Sequence, residues 1–320
     1  MDLFREHESL ADAIGAVRRQ LNNLDATFIE KDYWVTQVIR AVHLETEGGF
    51  VLKGGTSLSK GYGIIERFSE DVDALIVPES GLSSAKRSDR LAAITDSVAA
   101  QLGLPTEEQR KPGRGKRPSR GDYVVYVPVV VPEIQIEVLT DRVLLETGYG
   151  DGHEPSEMVT ISTLLGQLED VDEDNFDDLR PFTVRALNPV RTLIEKLCAL
   201  HHAASSFDPQ NPSEGRFGRH YFDVNQLLLH GPTKQHLQDR AAFLRLVDEV
   251  ERISNEQFGG STSRPATGFA DSPAFTPPTK DVREWLERRF TAARTLFPPG
   301  ASIPTFASVL ALVQQQKSLL

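Results

Sequence analysis

The sequence predicts an α+β fold in which a mixed β-sheet is followed by a helical bundle, and three observations carry that expectation. The chain has 320 residues, enough for about two domains or subdomains. In its first half, short β-branched runs alternate with segments whose apolar residues recur at three and four. In its second half, nearly every segment has helical period and little alternates as a strand does. The expected division is residues 1–180, a sheet with N-terminal helices, and residues 181–320, a helical C-terminal region.

Taken in order, LADAIGAVRRQL and FIEKDYWVTQVIRAVHLE carry the helical repeat. FVLKGG reads as a short strand stopped by glycines, and TSLSKGYGII as a helix with Thr56 and Ser57 near its start. RFSEDVDALIV is a second strand, after which a turn at PESGLSS leads into the helix DRLAAITDSVAAQLG. DYVVYVPVVV and EIQIEVLTDR are β-branched runs broken at Pro132, which suggests paired strands. Beyond them NPVRTLIEKLCALHHAAS, RHYFDVNQLLLHG, HLQDRAAFLRLVDEVERI and DVREWLERRFTAARTLF are expected helices. The Gly-, Ser-, Thr- and Pro-rich stretch from Asn255 to Lys280 is expected to be an irregular surface excursion.

Composition narrows the function classes. Apolar residues make up 39% and charged residues 25%, and no apolar run approaches the roughly 18 residues of a membrane span. The first residues include acids and lack the basic-then-apolar build of a secretory signal, so a cytoplasmic location is expected. Cys198 is the single cysteine; it cannot form an internal disulfide, and its apolar helical setting suits a buried structural thiol. The eight histidines show no ligand spacing with cysteine, so no zinc site is expected.

A net charge of −11 argues against a surface that clings everywhere to nucleic acid, because such affinity comes from summed Lys and Arg contacts. Local contacts remain open. Arg110 to Gly121 gathers Arg110, Lys111, Arg114, Lys116, Arg117 and Arg120 without an acid, either as a phosphate-gripping loop or as a solvated connection. LEDVDEDNFDDL lacks the glycine and terminal glutamate of a calcium loop and reads as a solvated acidic surface.

The chemistry concentrates in KGGTSLSKGYGIIERFSEDVD. Residues i and i+2 of a strand share a face, about 7 Å apart along the chain, so Asp71 and Asp73 project side by side and Ser69 joins their row. Such a pair suits Mg²⁺, which prefers carboxylates supplemented by substrate phosphates and water. Gly54 and Gly55 let the backbone approach a triphosphate, and the amides and hydroxyls of Thr56 and Ser57 can bind its oxygens. This is not a GxxxxGK[ST] phosphate loop, and a purely structural tight turn is the alternative. Glu137, in EIQIEVLTDR, shares a face with Gln135 and can serve as the base for an incoming hydroxyl or as a third metal ligand; otherwise it is an exposed glutamate.

FIEKDYWVTQVI, FVLKGGTSLSKGYGIIERFSEDVD, IQIEV, IEKLCALH and RHYFDV, in this order, resemble the blocks of the AbiEii/AbiGii nucleotidyltransferase toxins, the family that includes the MenT toxins. The resemblance implies a DNA polymerase β-like nucleotidyltransferase domain with a helical C-terminal region. It also implies an NTP substrate, Mg²⁺, an antitoxin encoded beside the toxin, and transfer of nucleotides to the tRNA acceptor 3′ end that blocks aminoacylation and translation. By position, Gly54, Gly55, Thr56 and Ser57 match the triphosphate-binding turn, Asp71 and Asp73 the metal-binding acids, and Ser69 the serine beside them. Lys196 matches the lysine of the next block, whose family counterparts contact nucleotide phosphates, and Asp223 the following aspartate. The residues themselves leave two alternatives open: Lys196 snorkelling to water, and Asp223 merely pairing with Arg219 one helical turn away. Glu30, Lys31 and Asp32 also resemble a family block and read as packing and ion-pair residues. Two rival functions fit the same residues, a small-molecule nucleotidyltransferase acting on an aminoglycoside-like substrate and a catalytically silent nucleotide-binding module.

Overall fold

A computed structural model describes residues 3–6, 10–21, 24–77, 82–109, 119–130, 140–150, 152–167, 176–258, 264–298 and 300–320. The chain divides into two compact units, one formed by Met1–Gly63 and Arg67–Leu187, the other by Ile64–Glu66 and Asn188–Leu320.

The first unit opens with helices α1 (Leu10–Gln20) and α2 (Ala26–Glu45). The side chain of Asp25 caps α2 by accepting from the Thr27 amide at 2.9 Å. Helix α2 is buried on nearly every side, which explains why its sequence is apolar around much of its circumference. Strand β1 (Phe50–Lys53) runs into a short helical turn, α3 (Gly54–Thr56), and then into a π-helical turn over Ser57–Gly61. There the Tyr62 amide reaches back five residues to the Ser57 carbonyl at 3.1 Å. The glycines therefore begin the helix rather than only ending the strand. Single π-turns are uncommon and recur at functional sites.

Strand β2 (Asp71–Ile76), helix α4 (Ser84–Leu102) and strands β3 (Thr106–Glu108), β4 (Ser119–Val125), β5 (Arg142–Tyr149), β6 (Ser156–Ile161) and β7 (Phe182–Leu187) complete this unit. The seven strands form one sheet in the order β3-β4-β5-β2-β1-β7-β6. Pairs β1/β7 and β2/β5 are parallel and the others antiparallel, which makes the sheet mixed, as expected. It is larger than expected and continues past residue 180, because β7 pairs between β1 and β6. Strand β3, of three residues, and strands β5 to β7 escaped the sequence reading. The runs RVLLETGY, SEMVTI and FTVRAL are short and interrupt their apolar residues with polar ones.

One face of the sheet carries Leu52, Val72, Ala74, Ile76, Val124, Val143 and Leu145, all buried against α2 and α4. Residues alternating with these, among them Asp71 and Asp73, lie on the opposite face.

The second unit contains α5 (Pro189–Ser205), α6 (Arg219–Leu229), α7 (Gly231–Gln238), α8 (Arg240–Phe258), α9 (Lys280–Ala292) and α10 (Phe306–Gln315). Asn188 caps α5, with proline in its first turn. HLQDRAAFLRLVDEVERI is split at Asp239, whose side chain accepts from the Ala242 amide at 2.9 Å and so starts α8 afresh.

The stretch 255–280 requires a correction. Its first residues continue α8 to Phe258, and its part from Arg264 to Thr279 is largely irregular but is not a surface excursion. Phe269, Ala270, Ser272, Ala274 and Phe275 are buried, the Tyr221 hydroxyl donates to the Ala274 carbonyl at 2.9 Å, and Phe275 meets the Tyr221 ring edge-on. Apolar side chains spaced irregularly can fill a core without a secondary-structure period, which is why the polar composition misled.

Candidate active site

In the first unit the structure brings together Gly54, Gly55, Thr56, Ser57, Ser69, Asp71 and Asp73. Strand pairing does most of this work. Lys53, the last residue of β1, lies opposite Asp73 on β2, so the chain turns at Gly54 directly beside that acid. Gly54 has φ +72°, in the left-handed region, and a Cβ on it would collide with the Asp73 carboxylate oxygen Oδ2. A Cβ on Gly55 would lie 2.6 Å from Nη2 of Arg67 and 2.7 Å from Oγ of Ser69. Both glycines are therefore required by close approach, the first also by its backbone angle.

The hydroxyls around this turn point inward. Thr56 and Ser57 are fully buried. Thr56 Oγ1 lies 3.0 Å from Ser69 Oγ and also bonds the Asp71 carbonyl, while Ser57 Oγ donates to the Gly54 carbonyl at 3.0 Å. These side chains lace the turn to the start of β2.

An ion pair also ties the turn to α2. The Lys60 ammonium pairs with Asp32 at 2.5 Å, and the other Asp32 oxygen accepts from the Leu164 amide at 2.9 Å. Lys31, nearly fully buried, donates to the carbonyls of Thr140 and Arg142. Burial pushes its ammonium down to about 8, against the opposing pull of the Glu70 and Asp71 carboxylates. Glu30 accepts from the amides of Val129 and Val130 at 2.7 and 3.3 Å. All three residues of that block are thus buried, Asp32 in an ion pair and Glu30 and Lys31 in hydrogen bonds to backbone groups.

Glu137 lies outside the described residues, as does most of the basic segment. Arg120, at the segment's end, belongs to β4 and pairs at 2.5 Å with the buried carboxylate of Asp122. Two residues with a place in the site were missed. Glu146 on β5 is in register with Asp73, making a row Lys53–Asp73–Glu146 across three strands on the face opposite the core. Arg67 is 3% exposed and lies against Gly55. The lone acid inside RVLLETGY was the available signal for Glu146, and the basic residue two before Ser69 was that for Arg67. Among the described residues no group of three or more His, Cys, Asp or Glu is disposed to hold a metal ion. Asp71 and Asp73 suit an ion that takes two carboxylates and completes its shell with phosphate oxygens and water, as Mg²⁺ does.

In the second unit the structure brings Lys196 and Asp223 together at 2.6 Å, with side chains 7% and 0% exposed. The lysine does not snorkel. Lys196, on α5 at the edge of the stripe Leu193, Leu197 and Leu200, meets the anionic partner that a buried ammonium needs on α6. His220 lies 3.5 Å from the Lys196 ammonium and 3.9 Å from the Asp223 carboxylate. Burial, followed by the Lys196 charge, pushes its imidazole down to about 4, against the opposing influence of Asp223. Cys198, also on α5, is raised by burial to about 12, as befits an inert structural thiol.

No curated protein matches the sequence. Among solved structures the fold is similar to that of MenT4, a nucleotidyltransferase toxin from Mycobacterium tuberculosis H37Rv, with a TM-score of 0.51 at 16% identity over 90% of this chain and 83% of that one. Residues 38–312 match the sequence profile of the nucleotidyl transferase AbiEii toxins of type IV toxin–antitoxin systems. That match spans most of the chain and includes both the glycine turn and the Lys196–Asp223 pair. The protein is therefore a nucleotidyltransferase and a toxin with an antitoxin counterpart, a member of the AbiEii family.

Proposed function

We propose that this toxin transfers nucleotides from an NTP to the acceptor 3′ end of tRNA in a Mg²⁺-dependent reaction, and so blocks aminoacylation and translation in the cytoplasm. The observation that carries the reading is the packing of the Asp73 carboxylate onto Gly54, which puts a glycine turn and a pair of strand carboxylates at one place. In this reading the backbone of Gly54 and Gly55 receives the triphosphate, while the buried hydroxyls of Thr56 and Ser57 and the half-buried hydroxyl of Ser69 hold the turn in shape. Asp71 and Asp73 would hold Mg²⁺, which when bound supplies charge stabilisation for the α-phosphate and the departing pyrophosphate.

The 3′-hydroxyl oxygen of the acceptor attacks the α-phosphorus, its proton passes to a carboxylate, and the bond to the pyrophosphate oxygen breaks. Glu137 and Glu146 are the two carboxylates proposed for that proton, or as a further ligand to the ion. For Lys196 and Asp223 the family resemblance supports a role in which Lys196 offsets negative charge on the phosphates and Asp223 orients its ammonium.

The test is incubation of the purified protein with each labelled NTP and total cellular RNA, with Mg²⁺ or with a chelator. Label in tRNA that requires both Mg²⁺ and Asp71 is the expected result. Label confined to another RNA class, or none in RNA at all, overturns the choice of acceptor.

A further inference from the structure

We propose that Arg67 is a positioning residue of the nucleotide site, setting the shape of the Gly54–Ser57 turn and placing a fixed positive charge beneath the phosphates it receives. The proposal rests on the triphosphate reading of that turn.

Arg67 stands between the π-turn and β2, and it is 3% exposed, an extreme degree of burial for an arginine. Its guanidinium reaches one residue of the turn and one carbonyl of its own segment. Nη2 lies 2.6 Å from the position a Cβ on Gly55 would take, and Nη1 donates to the Phe68 carbonyl at 3.1 Å. The Ser69 hydroxyl lies on the same space above Gly55, at 2.7 Å from that position, and is itself 3.0 Å from Thr56 Oγ1. Guanidinium, glycine and hydroxyl thus form one packed layer, continuous through Thr56 with the Asp71 carbonyl.

Two features make arginine suited to this place. Its fork sets one nitrogen against a glycine while another bonds a carbonyl, which the single ammonium of lysine cannot do. It also stays charged when buried, and in surroundings of low dielectric a fixed charge acts over a longer distance than in water. The absent side chain at Gly55 is the counterpart of this cation. A methyl group there would crowd both Arg67 Nη2 and Ser69 Oγ.

The experiment measures binding of inorganic tripolyphosphate and of each NTP by calorimetry, and steady-state transfer, for wild type, Arg67→Lys, Arg67→Gln and Gly55→Ala, with thermal unfolding as the check on folding. Arg67→Gln is expected to weaken tripolyphosphate binding about tenfold or more and to raise the KM for NTP by a similar factor, the loss expected when a fixed buried charge beneath the phosphates is removed and the turn it shapes is loosened. Arg67→Lys, which keeps the charge and most of the length, recovers part of the affinity. Gly55→Ala weakens binding in the wild type and adds less in the Arg67→Gln background, where the space is vacated. Wild-type tripolyphosphate affinity in folded Arg67→Gln, or in folded Arg67→Lys and Gly55→Ala together should Arg67→Gln not fold, overturns the role of Arg67 alone. Failure of the wild type to bind tripolyphosphate or any NTP overturns the triphosphate turn itself and Arg67 with it.

Discussion

At Gly54 the smallest possible addition, one methyl group, would collide with the Asp73 carboxylate oxygen and would force a side chain onto a backbone at φ +72°. Gly54→Ala is therefore expected to abolish nucleotide transfer as completely as loss of the acid. Asp71→Ala and Asp73→Ala should each lower transfer by ~10²-fold or more with the fold retained, because neither carboxylate lies in the core. Near wild-type turnover in either purified aspartate variant would remove both from the site. These residues were legible because their relation is local: a two-residue spacing on one strand and a glycine pair at a strand end. Glu146 and Arg67 were not. Glu146 meets Asp73 through a parallel pairing whose strands lie about seventy residues apart, and Arg67 meets Gly55 through a loop whose path no periodicity encodes.

At the scale of elements, α5 and α6 are joined by a buried ion pair, Lys196 with Asp223. Removing one partner leaves an uncompensated buried charge, which costs about 3–5 kcal/mol, whereas replacing both by apolar residues is often neutral or stabilising. Lys196→Ala should thus lower both stability and activity. The double variant Lys196→Met/Asp223→Leu separates the two, with stability recovered in thermal melts and transfer still lost if the ammonium serves the phosphates. Recovery of transfer along with stability would make the pair purely structural.

His220 adds a pH dependence to the same helices. Its folded value near 4 lies below the ordinary 6.5, so the unfolded chain binds a proton first as pH falls. Stability from this group is complete above about 6.5 and is lost progressively as pH drops toward 4. Replacing His220 with Gln should reduce the difference in melting temperature between pH 7 and pH 4.5, and an unchanged difference would show that another group titrates there. The two helices themselves were legible from their apolar stripes, and the resemblance singled out Lys196 and Asp223 one by one, but their pairing was not legible, since no spacing within either helix specifies which polar residue faces the other.

At the scale of the whole molecule the problem is how a protein with a net charge of −11 engages a polyanion. Among the described residues no helix is long and apolar enough to cross a membrane. If tRNA is the acceptor, attraction has to be local, and the densest positive charge in the sequence is the run Arg110, Lys111, Arg114, Lys116 and Arg117. In chain order that run precedes β4 directly, and β4 pairs with β5, the strand that carries Glu146. Each Lys or Arg that neutralises a phosphate contributes roughly 0.7 to 0.9 to the log–log slope of affinity against salt. Replacing Arg114, Lys116 and Arg117 together with serine is accordingly expected to weaken RNA binding and to flatten that slope by about two units. NTP binding should be nearly untouched, because the glycine turn and its acids are built from residues 53–73 and their strand partners. A salt titration of tRNA binding against the wild type, alongside NTP calorimetry, measures both. An unchanged slope would assign the run to a solvated connection and transfer the search for the RNA surface to the helical second unit.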